Sequence, residues 1–335
     1  MSVLPSVVDT QNVMLSLNKS LRDALRHHKA GEIPEAEAIY RQLLAKFPKN
    51  KKAIEGYRNL KVEKPPKGVE IRQIFYNDAT RSSINNLFIP LDNTNGKSDW
   101  FEFWPIFEFL SNNELKDETW YGFFSPKFEN KMGISSKEAC NFINKNNDAD
   151  VILFSTDWDQ LTYFVNPWEQ GELWHPGITL ETQKFCDSVG MEIKIDQLVT
   201  STKSSVFSNF IVAKKRYWDV WLKTAELFFH YSNNIENGLK DRLVKYDASI
   251  LPMKVFIQER LHALILSRQL FDVRNIKPGK TIPFSLLFED TPENKKLLTA
   301  CDEIKQQISE KVSNESLVQE YLKIRSKVKQ RKDIH

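Results

Sequence analysis

The chain has 335 residues, enough for two ordinary domains or for one large domain with an appendage. Hydrophobic residues make up 41% and charged residues 27%, which excludes a disordered chain, and the longest apolar runs are strand-sized, too short to cross a bilayer. The 47 basic and 44 acidic residues leave a net charge of +3, no global case for binding nucleic acid or an acidic membrane, and the three cysteines at 140, 186 and 301 have no ligand-like spacing, so neither a disulfide framework nor a zinc cluster is expected.

The opening stretch, MSVLPSVVDTQNVMLSLNKSLRD, lacks the basic and then unbroken apolar pattern of a signal peptide, so the expected location is cytoplasmic, with at most peripheral attachment at the inner face of the membrane. Residues 16–60 read as helical. Ala24, Ala36, Ile39, Tyr40, Leu43 and Leu44 supply the apolar positions, Gly31 separates two helical runs and Pro48 ends the second. This segment, 1–60 in all, resembles one tetratricopeptide repeat. A single unit of that kind has only small faces to bury, so it is expected to serve structure, self-association or a protein partner. A linker, KVEKPPKG at 61–68, joins adjacent prolines to charge and a glycine and marks a domain boundary.

Residues 69–290 alternate strand-like and helical runs. Strands are predicted over 71–76, 119–124, 149–155 and 205–213, and helices within SSKEACNFINKNN, 135–147, with Ser135 or Ser136 as the cap, and over 215–231 and 253–270. That alternation predicts an α/β domain with a mostly parallel sheet covered by helices. The tail from Thr291 reads as polar helices, 291–335, with Pro292 and Glu293 suited to a first turn. Its basic end reads as a solvated helix terminus.

The sharpest local feature is ADVILFSTDWDQ, 149–160, where an apolar strand is followed by Asp157 and Asp159. Ligands collect outside the carboxyl ends of strands in such sheets, and an Asp-x-Asp pair there can hold a divalent cation, Mn or Mg, that offsets the charge of a diphosphate. Together with IRQIFYND, FFSPKF, SNFIVAKKRYWDVWL and VFIQERLHAL, this ordered set resembles the nucleotide-sugar-dependent glycosyltransferases of the GT-A type that build bacterial capsule and lipopolysaccharide. The resemblance implies a GT-A-like sheet over 69–290, a nucleotide-sugar donor, a glycan acceptor and a cation at Asp157 and Asp159. The Trp between the two acids departs from the common form of that motif and leaves open a metal-independent site with positive side chains in place of the cation. By the same resemblance Tyr76, Asn77 and Asp78 end the strand that holds the nucleobase or ribose, and Arg81, one helical turn on, reaches phosphate.

Four groups are candidates for the base that takes the acceptor's hydroxyl proton. Glu169, Glu172 and His175 lie in VNPWEQGELWHPG, 165–177, whose prolines and glycines predict a loop and whose two tryptophans offer platforms for a sugar; Glu259, beside Arg260, sits in an otherwise apolar helix. Arg260 is a candidate for phosphate or for a structural ion pair. Asp99, Trp100, Glu102 and Trp104 are candidates for an acceptor cleft, while Phe101, Phe103, Ile106, Phe107 and Phe109 are assigned to packing. Two other readings remain at this point: a nonenzymatic assembly protein displaying a degenerate transferase domain, and a metal-dependent phosphoesterase or nuclease. Phosphate loops, dinucleotide turns, zinc-protease motifs and nucleophile elbows are absent from the sequence.

Overall fold

The change of pattern at the proline pair coincides with a division of the chain into two units, Met1–Lys64 and Pro65–His335. In a computed structural model of the protein, residues 7–30, 32–60, 65–206, 208–246, 249–268, 270–276, 287–310 and 315–331 are described. The first unit contains α1 (Val7–Ala30), α2 (Ile33–Lys46) and α3 (Lys51–Leu60). Pro34 stands in the first turn of α2, where its missing N–H costs nothing, and Asn50 opens α3 by accepting the Ala53 N–H at 2.9 Å. Ala24, Ala36, Tyr40, Leu43, Ala53 and Leu60 form its core. Gly56 is required there: a Cβ would fall 2.4 Å from the Tyr40 ring. The predicted turn at Gly31 lies outside the described residues.

The second unit runs β1 (Val69–Phe75), α4 (Asp78–Ser82), β2 (Ile89–Asp92), α5 (Phe103–Asn112), β3 (Trp120–Phe124), α6 (Phe128–Met132), α7 (Ser136–Lys145) and β4 (Val151–Leu153). It continues through α8 (Trp158–Tyr163), α9 (Pro167–Glu172), α10 (Ile178–Ser188), β5 (Ile211–Ala213), α11 (Lys215–Asn233), and a hairpin of β6 (Leu243–Tyr246) and β7 (Ser249–Pro252). Then come α12 (Met253–Gln258), α13 (Leu261–Leu266), β8 (Val273–Asn275), α14 (Pro292–Glu310) and α15 (Glu315–Arg325). Six strands form one mixed sheet in the order β2-β1-β3-β5-β4-β8, parallel throughout except for β5. This is a mostly parallel α/β sheet flanked by helices, with helical regions at both ends of the chain.

Period-two alternation divides the core between the two faces of the sheet. Tyr121, Phe123, Val151, Leu153, Ile211 and Ala213 face a cluster holding Trp168, Trp218, Trp221 and Phe228. Their neighbours Trp120, Phe124, Ile152 and Val212 face a second cluster built on Phe128, Phe154 and Phe210. Gly122 belongs to this second face, and its missing side chain makes room for Val212: a Cβ would lie 2.7 Å from Val212 Cγ2. Ser135 caps α7 in a capping box with Glu138, as the sequence suggests.

Three expectations need correction. Asn166 accepts the N–H groups of Trp168 and Glu169, so Pro167–Glu172 of the stretch expected as a loop over 165–177 is the helix α9, and turns follow it to Gly177. The helix expected over 253–270 breaks at Glu259 and Arg260 into α12 and α13, and the strand expected over 205–213 is ordered as strand only from Ile211. The tail is also no separate appendage. Lys305, wholly buried on α14, donates to the carbonyls of Leu161 and Phe164 at 2.6 Å each, and the Tyr321 hydroxyl donates to the Tyr163 carbonyl at 2.5 Å. Trp158, the residue between the two acids, packs with Phe164, Phe288 and Leu298, so its size serves attachment of this tail. Among the described residues, no helix is long and apolar enough to cross a membrane.

Candidate functional site

At the carboxyl edge of the parallel strands lies a cleft of about 650 Å³, lined by the loops that follow β1, β2 and β3. Tyr76 and Phe101, 37% and 40% exposed, line it and offer aromatic rings to a flat ligand. Asn93, Thr94, Ser98 and Ser125 add polar groups, and Lys127 and Lys131 add two ammonium groups. Phe101 and Asp157, the two non-glycine residues with positive φ among those described, at 45° and 51°, stand at this edge. Side chains held in such conformations concentrate where a fold positions groups for binding or reaction.

The lysines are placed by packing. Phe128 stacks on Phe124 with ring centroids 4.0 Å apart, and its N–H donates to the Ser125 carbonyl at 3.1 Å. This turn off β3 fixes α6, and Lys127 and Lys131, four positions apart, share one side of it. Lys131 lies 5.8 Å from the Phe210 ring centroid, and its positive charge acts on both Asp157 and Glu259.

Two carboxyl groups that feel the Lys131 charge have raised proton affinity. Burial pushes Glu259 up to about 7, the neighbouring Glu102 adds to that rise, and Arg260 and Lys131 oppose it. Burial also raises Asp157, against a hydrogen bond from Thr156 and the charge of Lys131. Glu102 is held by a directed chain of hydrogen bonds. Asn209 donates through Nδ2 to Glu102 at 3.3 Å, which leaves its Oδ1 to accept from His262 Nε2 at 3.3 Å; His262 Nδ1 then accepts the Tyr217 hydroxyl proton at 2.5 Å. The ring of His262 is wholly buried and its pKa is pushed down to about 3 by that burial, which keeps the neutral tautomer in place. Tyr76 donates to the other oxygen of Glu102 at 3.4 Å.

Several groups singled out in the sequence have other partners. Asn77 caps α4, with Asp78 in its first turn, and Arg81 lies over the Phe75 ring at 5.5 Å, so of that set Tyr76 lines the cleft. Glu169 accepts the Val165 N–H and pairs with Arg325 at 2.8 Å. Glu172 caps α10 by accepting the N–H groups of Gly177 and Thr179 at 2.7 and 2.8 Å; burial raises its pKa, but those bonds outweigh burial and the net shift is downward. His175 is buried and stacked on Phe256 at 3.5 Å, with its pKa lowered to about 4 by burial and by Arg260. Arg260 is a tie inside the protein: it donates to the carbonyls of Pro167 and Phe256 and to Gln170 Oε1 at 2.8–2.9 Å. Trp168 is buried, with its indole N–H on Thr182, and Trp174 is exposed. Trp100 is buried beneath Lys254, which pairs with Asp99, while Glu102 and Phe101 from the same segment face the cleft.

Asp157 and Asp159, the pair expected to hold a cation, differ in exposure. Asp157 is half-buried at the head of α8, whereas Asp159 is 0% exposed inside the protein. Among the described residues no group of three or more His, Cys, Asp or Glu side chains is arranged to hold a metal ion. The donor set fits a cation poorly, and no step below is routed through one. The signal missed in the sequence is FFSPKF with its second lysine four residues on, a strand end followed by paired cations. In comparisons with protein-family models, with curated proteins and with solved structures, nothing matches this chain.

Proposed function

We infer that the protein is a glycosyltransferase of GT-A-like architecture that moves a sugar from a nucleotide donor to a glycan acceptor. The observation that carries this reading is the cleft at the carboxyl edge of a mostly parallel sheet, lined by two exposed aromatic residues, two lysines and Glu102, with the raised carboxyl of Glu259 coupled in charge to Glu102 and Lys131 of that lining. Rings suit a nucleobase, ammonium groups suit a diphosphate, and a carboxylate that changes charge near neutrality suits proton removal from a hydroxyl. The single antiparallel strand within the parallel sheet, β5, brings Asn209 to this edge, where it orients Glu102.

Of the base candidates, Glu259 is the one whose charge couples to residues of the cleft lining, Glu102 and Lys131. As the acceptor oxygen bonds to the sugar, its proton passes to the Glu259 carboxylate, and the bond between sugar and diphosphate breaks with its electron pair leaving on the nucleoside diphosphate. Glu102, fixed by Asn209 and Tyr76, is placed to orient acceptor hydroxyls. The test is incubation of the full chain with UDP-, GDP-, CMP- and dTDP-sugars, with and without manganese, following donor hydrolysis and transfer to oligosaccharide mixtures. Turnover or tight binding of one donor class is the expected result; folded protein that neither binds nor consumes any of them defeats the reading.

A further inference from the structure

We propose that Lys127 and Lys131 hold the diphosphate of a nucleoside diphosphate in this cleft, in place of a metal ion bound by Asp157 and Asp159. The proposal rests on the transferase reading and goes beyond it by assigning the groups that neutralise the donor.

Three observations carry it. Charge comes first: both lysines line the cleft, and among the described residues neither has a carboxylate within ion-pair distance, although Lys131 also acts at longer range on Asp157 and Glu259. A compact ammonium on a flexible stem binds phosphate oxygens as a point charge, and two of them can engage two phosphoryl groups. The second is reach. Tyr76 and Phe101 line the same cleft of about 650 Å³, so base stacking and diphosphate contact fit within one ligand. Ser125, at the start of the turn carrying the lysines, adds a hydroxyl whose oxygen already accepts the Lys127 N–H at 3.3 Å.

The third is the fate of the other cations. Arg260 spends its donors on protein carbonyls and Gln170, and Lys214 donates to Asn147 at the opposite edge of the sheet, where β5 ends. Arg81 is outside the cleft lining, over Phe75. Asp159 has no accessible surface with which to share a cation with Asp157.

The experiment is calorimetric titration of the full chain with UDP and GDP, in EDTA and again with manganese, using wild type, K127Q, K131Q and the double variant. Inorganic pyrophosphate is titrated in parallel to separate recognition of phosphate alone from recognition of a nucleotide. Binding in EDTA is expected for at least one nucleotide, changed by manganese less than about threefold, weakened roughly tenfold by each substitution and falling steeply with added salt. Pyrophosphate should bind more weakly than the nucleotide because it forgoes the rings. Both lysines are exposed, so their substitution should leave the melting curve in place and affinity losses interpretable. Nucleotide binding that requires manganese, or that is indifferent to both lysines, overturns the proposal while leaving the transferase reading standing. Pyrophosphate binding as tightly as nucleotide overturns the stacking half of it. Absence of UDP and GDP binding under every condition overturns the proposal, and the transferase reading is then decided separately by the screen of four donor classes.

Discussion

Glu259 closes α12 where the chain breaks before Arg260, and its charge state is set by neighbours of opposite sign. Burial raises it to about 7, Glu102 raises it further, and Arg260 and Lys131 pull it down. A base must be ionised to act, so transfer should fall as pH drops below about 7 and level off above it. Replacing Glu102 with Gln removes a like charge and should move that limb to lower pH; replacing Lys131 with Gln removes a favourable charge and should move it higher. Glu259→Gln should cost at least about 100-fold in turnover with nucleotide affinity little changed. The check is a kcat profile over pH for all four proteins, and shifts of the same sign in the Glu102 and Lys131 variants would refute the assignment. His262 gives a stability prediction of opposite sense. Its folded pKa, about 3, lies below the unfolded value of 6.5, so its contribution is present above 6.5 and is lost as pH falls toward 3. Between pH 7 and pH 5 it should remove roughly 2 kcal/mol, at about 1.4 kcal/mol per unit. Glu259, raised in the folded state, stabilises below 4.5 and loses that contribution as pH rises through 7, so it partly offsets His262 on acidification. Urea unfolding at both pH values should therefore show a larger acid loss in Glu259→Gln than in wild type.

At the scale of elements, Arg260 shows how a residue that reads as functional becomes structural. It joins the α12–α13 break to α9 through the Pro167 carbonyl and Gln170, and Gly171 permits the approach, since a Cβ there would lie 3.1 Å from the guanidinium. Arg260→Ala should destabilise by roughly 3 kcal/mol in urea, because buried carbonyls lose their donor, while nucleotide affinity of the folded protein stays near that of wild type. A phosphate ligand would give the reverse pattern. The apolar runs of β3 and β4, the Ser135 cap and the start of α14 were legible because each depends on near neighbours in sequence. The α9 helix was not: its prolines and glycine read as loop, and only the Asn166 side chain, held by the Ile195 and Leu198 carbonyls some thirty residues away, turns the stretch into a capped helix. The candidate site was legible only in outline. Strand ends were predicted to gather ligands; Tyr76 and Asp157 follow β1 and β4 at that edge, and Glu259 couples in charge to Glu102 and Lys131 there. The lysines of α6 and the Asn209–Glu102 link were missed, because their meaning depends on which loops the sheet order places side by side.

Across the whole molecule, the boundary near residue 64 and the attachment of the tail make opposite predictions for truncation. Every strand of the six-stranded sheet, both of its cores and every residue lining the cleft come from the chain after residue 64. The first unit closes its own small core. A chain of 65–335 should therefore fold, unfold cooperatively and bind nucleotide within about threefold of the full chain, a difference of at most about 0.7 kcal/mol. The tail has no such independence. Leu298 and Val328 are buried in a cluster with Phe164, and Cys301, Ile304 and Tyr321 in one that takes in Val165; fully burying one large apolar side chain contributes about 1.5–3 kcal/mol. Lys305, whose pKa burial lowers to about 8, still satisfies two carbonyls of the α8 turn, and Arg325 holds Glu169. Together these terms rival the total stability of a domain, typically about 5–15 kcal/mol. A chain ending at residue 290 should lose cooperative unfolding or melt at least about 10 °C lower, and α8, which follows directly from Asp157, should lose order with it. Calorimetry and circular dichroism on the two truncations read the contrast directly. A tail-less chain that melts like the full protein would show that α14 and α15 only rest on the sheet domain; loss of nucleotide affinity in well-folded 65–335 would show that the first unit helps to build the site.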